Sequence, residues 1–193
     1  MAPVDYGTNR SCFAVFVANT WGSAVNLTVD RNGAPLNVAS FAYQPQGSGS
    51  SITYTPLTGP LPAGGIAILF LSDDGASCPK TAATSGASFD GTGIGKAFHI
   101  ASSAPVVAYD IFPYGGGSSA IASATLLLPT SAWGDNYVSL MAAPRTFADP
   151  WIGIVAQEDQ TNVTISPTAA VVGGTGVAAT GQGVPHTYTL QRG

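Results

Sequence analysis

The chain has 193 residues, 45% of them hydrophobic, with a formal net charge of −4 and only 8% charged residues. That length allows one large domain or two small ones. The acidic balance excludes a basic nucleic-acid footprint, since Arg10, Arg31, Lys80, Lys96, Arg145 and Arg192 are scattered.

The first element expected is Phe13–Ala18, a short apolar run. Val25, Leu27 and Val29 alternate with Asn26 and Thr28, which marks a half-buried strand. Asp30–Gly33 (DRNG) reads as a turn, with Asn-Gly suited to positive φ. Gln44–Ser51 reads as a loop, and alternation resumes at Ile52–Thr55. Leu61–Gly65 turns into the buried strand Ile66–Leu71, an apolar run far too short to span a bilayer. Asp73–Gly93 is a long excursion. Ala97–Ile100 and Val106–Phe112 are strands joined by ASSAP, and Pro113–Ala120 is a Gly-rich loop. Ser123–Leu140 is expected to hold two strands around Trp133, and Ala142–Pro150 reads as a linker. A final strand is expected at HTYTL, near the C-terminus.

Composition agrees with this reading. Helical surfaces are usually covered by Glu, Lys and Arg. Here Glu158 is the one glutamate, and Lys80 and Lys96 are the two lysines. With 24 Gly and 14 Pro, the chain is predicted to be all-β, an antiparallel β-sandwich of jelly-roll or Ig-like architecture. The opening MAPVDYG lacks the basic and apolar regions of a signal peptide and reads as a start left after a removed leader.

Cys12 and Cys78 are expected to form a disulfide closing a loop of about 67 residues, worth roughly 4 kcal/mol in chain entropy. The alternative is two buried thiols in a reducing compartment. The neutral, hydroxyl-rich surface points to secretion or the cell surface.

One phrase occurs twice. Val17-Ala18-Asn19 is followed by Val25 and Leu27, and Val155-Ala156-Gln157 by Val163 and Ile165, at the same spacings. Each is followed further on by a Leu-x-x-Gly phrase, at Leu61 and Leu190. The layout suggests one copy and a partial second copy of a β unit. We therefore expect a first unit over residues 1–141 and an incomplete second over 142–193, which as an alternative packs onto the first.

The segments Cys12–Trp21 (CFAVFVANTW), Phe98–Gly115, Ala124–Leu140 (ATLLLPTSAWGDNYVSL) and Gly153–Pro167 (GIVAQEDQTNVTISP) resemble the N-terminal domain of IgGFc-binding proteins, also found in bacterial surface proteins and lipoproteins. The family pattern of S-x-x-P-V, L-L-L-P, G-x-x-Y and D-x-T-x-V-x-I falls on Ser102–Val106, Leu126–Pro129, Gly134–Tyr137 and Asp159–Ile165. The family usually continues past the Leu-x-x-Gly phrase into further strands. The resemblance implies an extracellular, adhesive or protein-binding role and supplies no catalytic residues.

The chemistry-bearing side chains are few. His99 sits in a strand, opposite in alternation to Phe98 and Ile100, and a serine triad through His99 and Asp110 would lack a serine-presenting G-x-S-x-G turn. His186 lies beside a loop. A carboxylate pair would draw on Glu158 with Asp159, Asp73 or Asp110. The same acids in turns, Asp73, Asp74, Glu158 and Asp159, are weak calcium candidates, at a spacing that matches no EF-hand. Nothing local supports an isopeptide bond at Lys80 or Lys96. Trp21, Trp133 and Trp151 are expected to cap the core edge, with a sugar-stacking platform as the alternative. The sequons at Asn9, Asn26 and Asn162 matter only in a eukaryotic host. The Gly-rich loops near Gly93 and Gly115 lack P-loop spacing. No cofactor and no transmembrane segment are expected.

The sequence thus points to an extracellular, non-catalytic adhesion or binding module. Its partner is expected to be a protein or glycan ligand, with self-association through edge strands open. A structural subunit of a fibre or surface layer is the alternative, and a carbohydrate-active enzyme stands behind both.

Overall fold

A computed structural model describes residues 12–73, 78–87, 91–115, 123–140 and 150–193. The chain is all-β. Its strands in chain order are β1 (Cys12–Ala18), β2 (Leu27–Arg31), β3 (Ala34–Leu36), β4 (Ala42–Gln46), β5 (Thr53–Pro56), β6 (Ile66–Asp73), β7 (Thr84–Ser85), β8 (Phe98–Ser102), β9 (Val107–Phe112), β10 (Ser123–Leu126), β11 (Thr161–Ile165) and β12 (His186–Leu190). The large sheet runs β10-β9-β1-β6-β4-β5, with the short β7 parallel to the end of β6. A three-stranded sheet runs β3-β2-β8, and β11 with β12 forms a separate antiparallel ribbon.

The core lies between the large and the three-stranded sheets. Phe13, Val15 and Val17 of β1 and Ala67, Leu69 and Leu71 of β6 point one way, as period-two alternation requires. Val29 and Phe98 meet them from the smaller sheet, with Leu27 and Ile100 beside them. This is a sandwich in which each sheet hides its apolar face against the other. The strands β8 and β9, expected as two strands joined by ASSAP, belong to opposite sheets, so that segment crosses between layers.

β6 is buried on both faces, which is why its sequence is a continuous apolar run rather than an alternating one. On the side away from the sandwich core, Ile68 and Phe70 meet Ala14, Tyr43, Cys12 and Cys78. Tyr43, Tyr54 and Tyr114 ring Phe70 with centroids 5.8, 5.8 and 5.3 Å away. The Cys12–Cys78 disulfide is formed, with Cα atoms 4.9 Å apart, and anchors the excursion after β6 over this cluster. The hydroxyls of Tyr54 and Tyr114 share a hydrogen bond of 2.9 Å.

Burial, then the bond and charge of Tyr54, push the Tyr114 phenol above its ordinary range. The folded state therefore keeps a proton that the unfolded chain loses near pH 10. Stability from this group is present below that pH and is lost as pH rises above it. Alkaline denaturation followed by tryptophan fluorescence should show this loss, and Tyr114→Phe should flatten it.

Two local devices fix the sandwich ends. Asn32 and Gly33 adopt φ of 52° and 76°, the left-handed pair that a tight β2–β3 turn requires. Asn19, buried at the end of β1, donates from its amide to the carbonyls of Ser23, Leu61 and Pro62, while its Oδ1 accepts from the Trp21 main chain. A buried amide with all these partners satisfied ties two loops together.

Some expected elements differ. β4 runs through Pro45 to Gln46, into the segment read as a loop. The second strand expected around Trp133 is not formed: Val138–Leu140 has no main-chain hydrogen bond among the described residues. A strand persists only with a partner for its peptide groups, whatever its propensity. The unit boundary expected between residues 141 and 142, and the linker before Pro150, fall within residues 141–149, outside the described residues.

The repeated phrase is partly realised in space. Ala18 pairs antiparallel with Ile66, and Val25 bridges Leu61 of the first Leu-x-x-Gly phrase. In the second phrase Ala156 bridges Arg192 in the parallel sense, and Val163 pairs with Tyr188. Both phrases therefore close against their own Leu-x-x-Gly phrase, in different registers.

Candidate binding surface

The outer face of the large sheet is apolar from edge to edge. Ile68, Phe16, Tyr109 and Leu126 stand opposite one another across β6, β1, β9 and β10. Phe70, Ala14, Ile111 and Ala124 form the next row. Exposure rises along the first row. Ile68 is fully buried and Phe16 half-buried, whereas Tyr109 is 42% and Leu126 50% exposed. The disulfide-anchored excursion and Tyr114 cover the half around Phe70, whereas Tyr109 of β9 and all of β10 are exposed.

β10 owes its place to Asp110. This carboxylate is buried, and its Oδ1 accepts the Thr125 main-chain N–H at 3.0 Å. Its Oδ2 has no hydrogen-bond partner among the described residues. Beyond β10, Leu127 donates to Ala108, and the chain turns at Thr130–Ala132. The Trp133 indole donates to the Leu128 carbonyl at 3.3 Å, and the Gly134 main chain donates to the Tyr137 hydroxyl at 2.6 Å. These local bonds hold the rings outward. Tyr137, Val138 and Leu140 are 70%, 89% and 93% exposed.

A second apolar stretch, Trp151–Val155, is also exposed. All three tryptophans are exposed by 40% or more. Singly exposed apolar residues are ordinary, but contiguous ones mark interaction sites.

The remaining candidates hold structural posts. His99 Nδ1 lies 2.8 Å from Asp30 Oδ2, so its partner is Asp30 rather than Asp110. Arg192 Nη2 sits 3.9 Å from the same oxygen and 3.4 Å from that ring nitrogen. The ring nitrogen facing Asp30 carries the proton, so the attraction felt by Arg192 comes from the carboxylate. Gly193 lies against Asn32 nearby, and the Arg192 main chain donates to Asp159 Oδ1 at 2.9 Å. The C-terminal phrase is thereby seated on the β2–β3 turn by an exposed and individually weak ion pair.

His186 packs on Tyr188 at 4.5 Å between centroids. Glu158 accepts the Thr161 hydroxyl through its main-chain carbonyl, and Asp73 ends β6. Asp74 lies outside the described residues. Among the described residues, no group of three or more His, Cys, Asp and Glu is placed to hold a metal ion. No helix among them is long and apolar enough to cross a membrane. An open depression of about 370 Å³ beside β2, between Leu36 and Pro60, is lined without any titratable side chain.

The exposed part of this face, at Tyr109 and Leu126, is thus followed along the chain by a run of exposed aromatic and branched residues beyond Ser123. A family model described as IgGFc binding protein matches residues 123–193. The match takes in two of the four segments that carry the resemblance, Ala124–Leu140 and Gly153–Pro167, and stops short of the sandwich strands β1 to β9. No curated protein and no solved structure matches the chain. The matched residues hold β10, the exposed stretches and the β11–β12 ribbon. The sequence analysis assigned no exposed face to β9, and Asp110, opposite Val15, stands on its inward side, which leaves Tyr109 and Ile111 on the outer one.

Proposed function

We propose that this chain is an extracellular protein-binding module, secreted or held at a cell surface, whose ligands include the Fc region of immunoglobulin G. One observation carries the reading. The residues that match the IgGFc-binding family include Tyr137, Val138 and Leu140, which lie mostly in solvent. Aromatic and apolar side chains that desolvate at an interface centre carry most of its binding energy. The Cys12–Cys78 bridge supports an oxidising location. A non-catalytic role is supported by the separation of the acid–base candidates, with His99 on Asp30 and Asp110 on the Thr125 main chain.

Immobilised Fc, with albumin as control, tests this by surface plasmon resonance. The native chain should bind Fc, and Tyr137→Ala and Val138→Asp should each weaken binding by about tenfold or more. Trp21→Ala, outside the matched segment, should leave it unchanged. Absence of Fc binding, or equal loss in all three variants, contradicts the reading.

A further inference from the structure

We propose that two copies of this chain join edge to edge through β10, about a two-fold axis at Thr125. Among the described residues, and apart from the two-residue β7 whose shortness limits what it can pair with, the large and the three-stranded sheets end in four edge strands: β10, β5, β3 and β8. Folded proteins protect such edges from other chains. β5 carries Pro56 and β3 carries Pro35, and the His99 of β8 is paired with Asp30 beside Arg192. β10 has no such guard. Its sequence Ser-Ala-Thr-Leu has neither charge nor proline, and all four residues are exposed.

The register decides what such an edge accepts. Thr125 and Leu127 turn their main-chain N–H groups toward β9, to Asp110 and Ala108. Ala124 and Leu126 therefore turn theirs outward, unpartnered among the described residues. A second β10 laid antiparallel with Thr125 facing the partner's Thr125 sets Ala124 opposite the partner's Leu126. Outward groups then meet outward groups, giving about four main-chain hydrogen bonds.

Because the segment is neutral, self-pairing opposes no like charges, and a Thr–Thr pair is a favourable cross-strand match. Ala124 and Leu126 both lie on the bare apolar face, so that face becomes continuous across the seam. A two-fold contact uses the same edge on both partners and closes at two copies, so it gives a dimer rather than a fibre.

Sedimentation velocity over rising protein concentration should show a reversible monomer–dimer equilibrium. Ala124→Pro removes an outward donor that β9 does not use, and should weaken dimerisation by about tenfold or more. Under mild oxidation, Thr125→Cys should give a covalent dimer. Ser123→Cys, which would face the partner's Leu127, should not. A native chain that stays monomeric, a growing ladder of larger species, or equal cross-linking at the two cysteines would overturn the proposal. If Ala124→Pro fails to fold, the contrast between the cysteine variants still decides it.

Discussion

Removing the Cys12–Cys78 bridge by Cys→Ser at both positions is expected to destabilise the fold by about 4 kcal/mol. The half-cystines are 66 residues apart. Opening so long a loop restores unfolded-state entropy of about that size. Domains of this kind are stable by only about 5–15 kcal/mol, so the loss is a large share of the whole. The folded state suffers as well, because Cys78 anchors the segment that covers Phe70. Urea denaturation should show a markedly lower midpoint for the variant, with reductant reproducing it in the native chain. An unchanged midpoint would mean that the cover holds by packing alone.

Phe70→Ala should cost about 4 kcal/mol, within the usual range for a fully buried phenylalanine. Phe70 has no exposed surface and sits at the centre of the Tyr43, Tyr54 and Tyr114 ring cluster. Tyr109→Ala, on the bare part of the same face, should cost under about 1 kcal/mol because its ring is already partly solvated. The contrast separates the covered half of the sheet from the open half. Because Phe70 and the disulfide share one cluster, their effects should not add when combined. Chemical denaturation of the single and combined variants measures that coupling.

Much of the fold was legible in the sequence. Ile66–Leu71 read as buried because six apolar residues in a row fit a strand covered on both faces, and β6 is one. Asn32-Gly33 read as a tight turn because few other pairs accept two positive φ values. The disulfide was legible from two cysteines and a neutral, hydroxyl-rich surface. The sheet assignment of β8 and β9 was not, since a five-residue connection looks the same whether it joins neighbours or crosses between layers. Nor was the role of Asn19, whose amide partners come from residues more than forty positions away.

The candidate surface was legible only in part. Trp133 and Tyr137 lay within a segment that carries the family resemblance, yet Ser123–Leu140 was expected to hold two strands around Trp133, and only the first is formed. Strand formation depends on a neighbour, and local propensity does not report whether a neighbour exists. Asp110 shows the same dependence on a neighbour. An acid at alternate positions usually marks the wet face, but here a main-chain N–H from β10 satisfies one of its oxygens inside the sandwich. The side left outside was the apolar one, carrying Tyr109 and Ile111.

Hydrogen–deuterium exchange of the native chain with and without bound Fc tests the placement of the binding surface most directly. Protection should appear in peptides spanning Leu126–Leu140 and Trp151–Val155, while β2, β3 and β8 keep their exchange rates. Protection confined to the three-stranded sheet, with residues 126–155 unchanged, would contradict it.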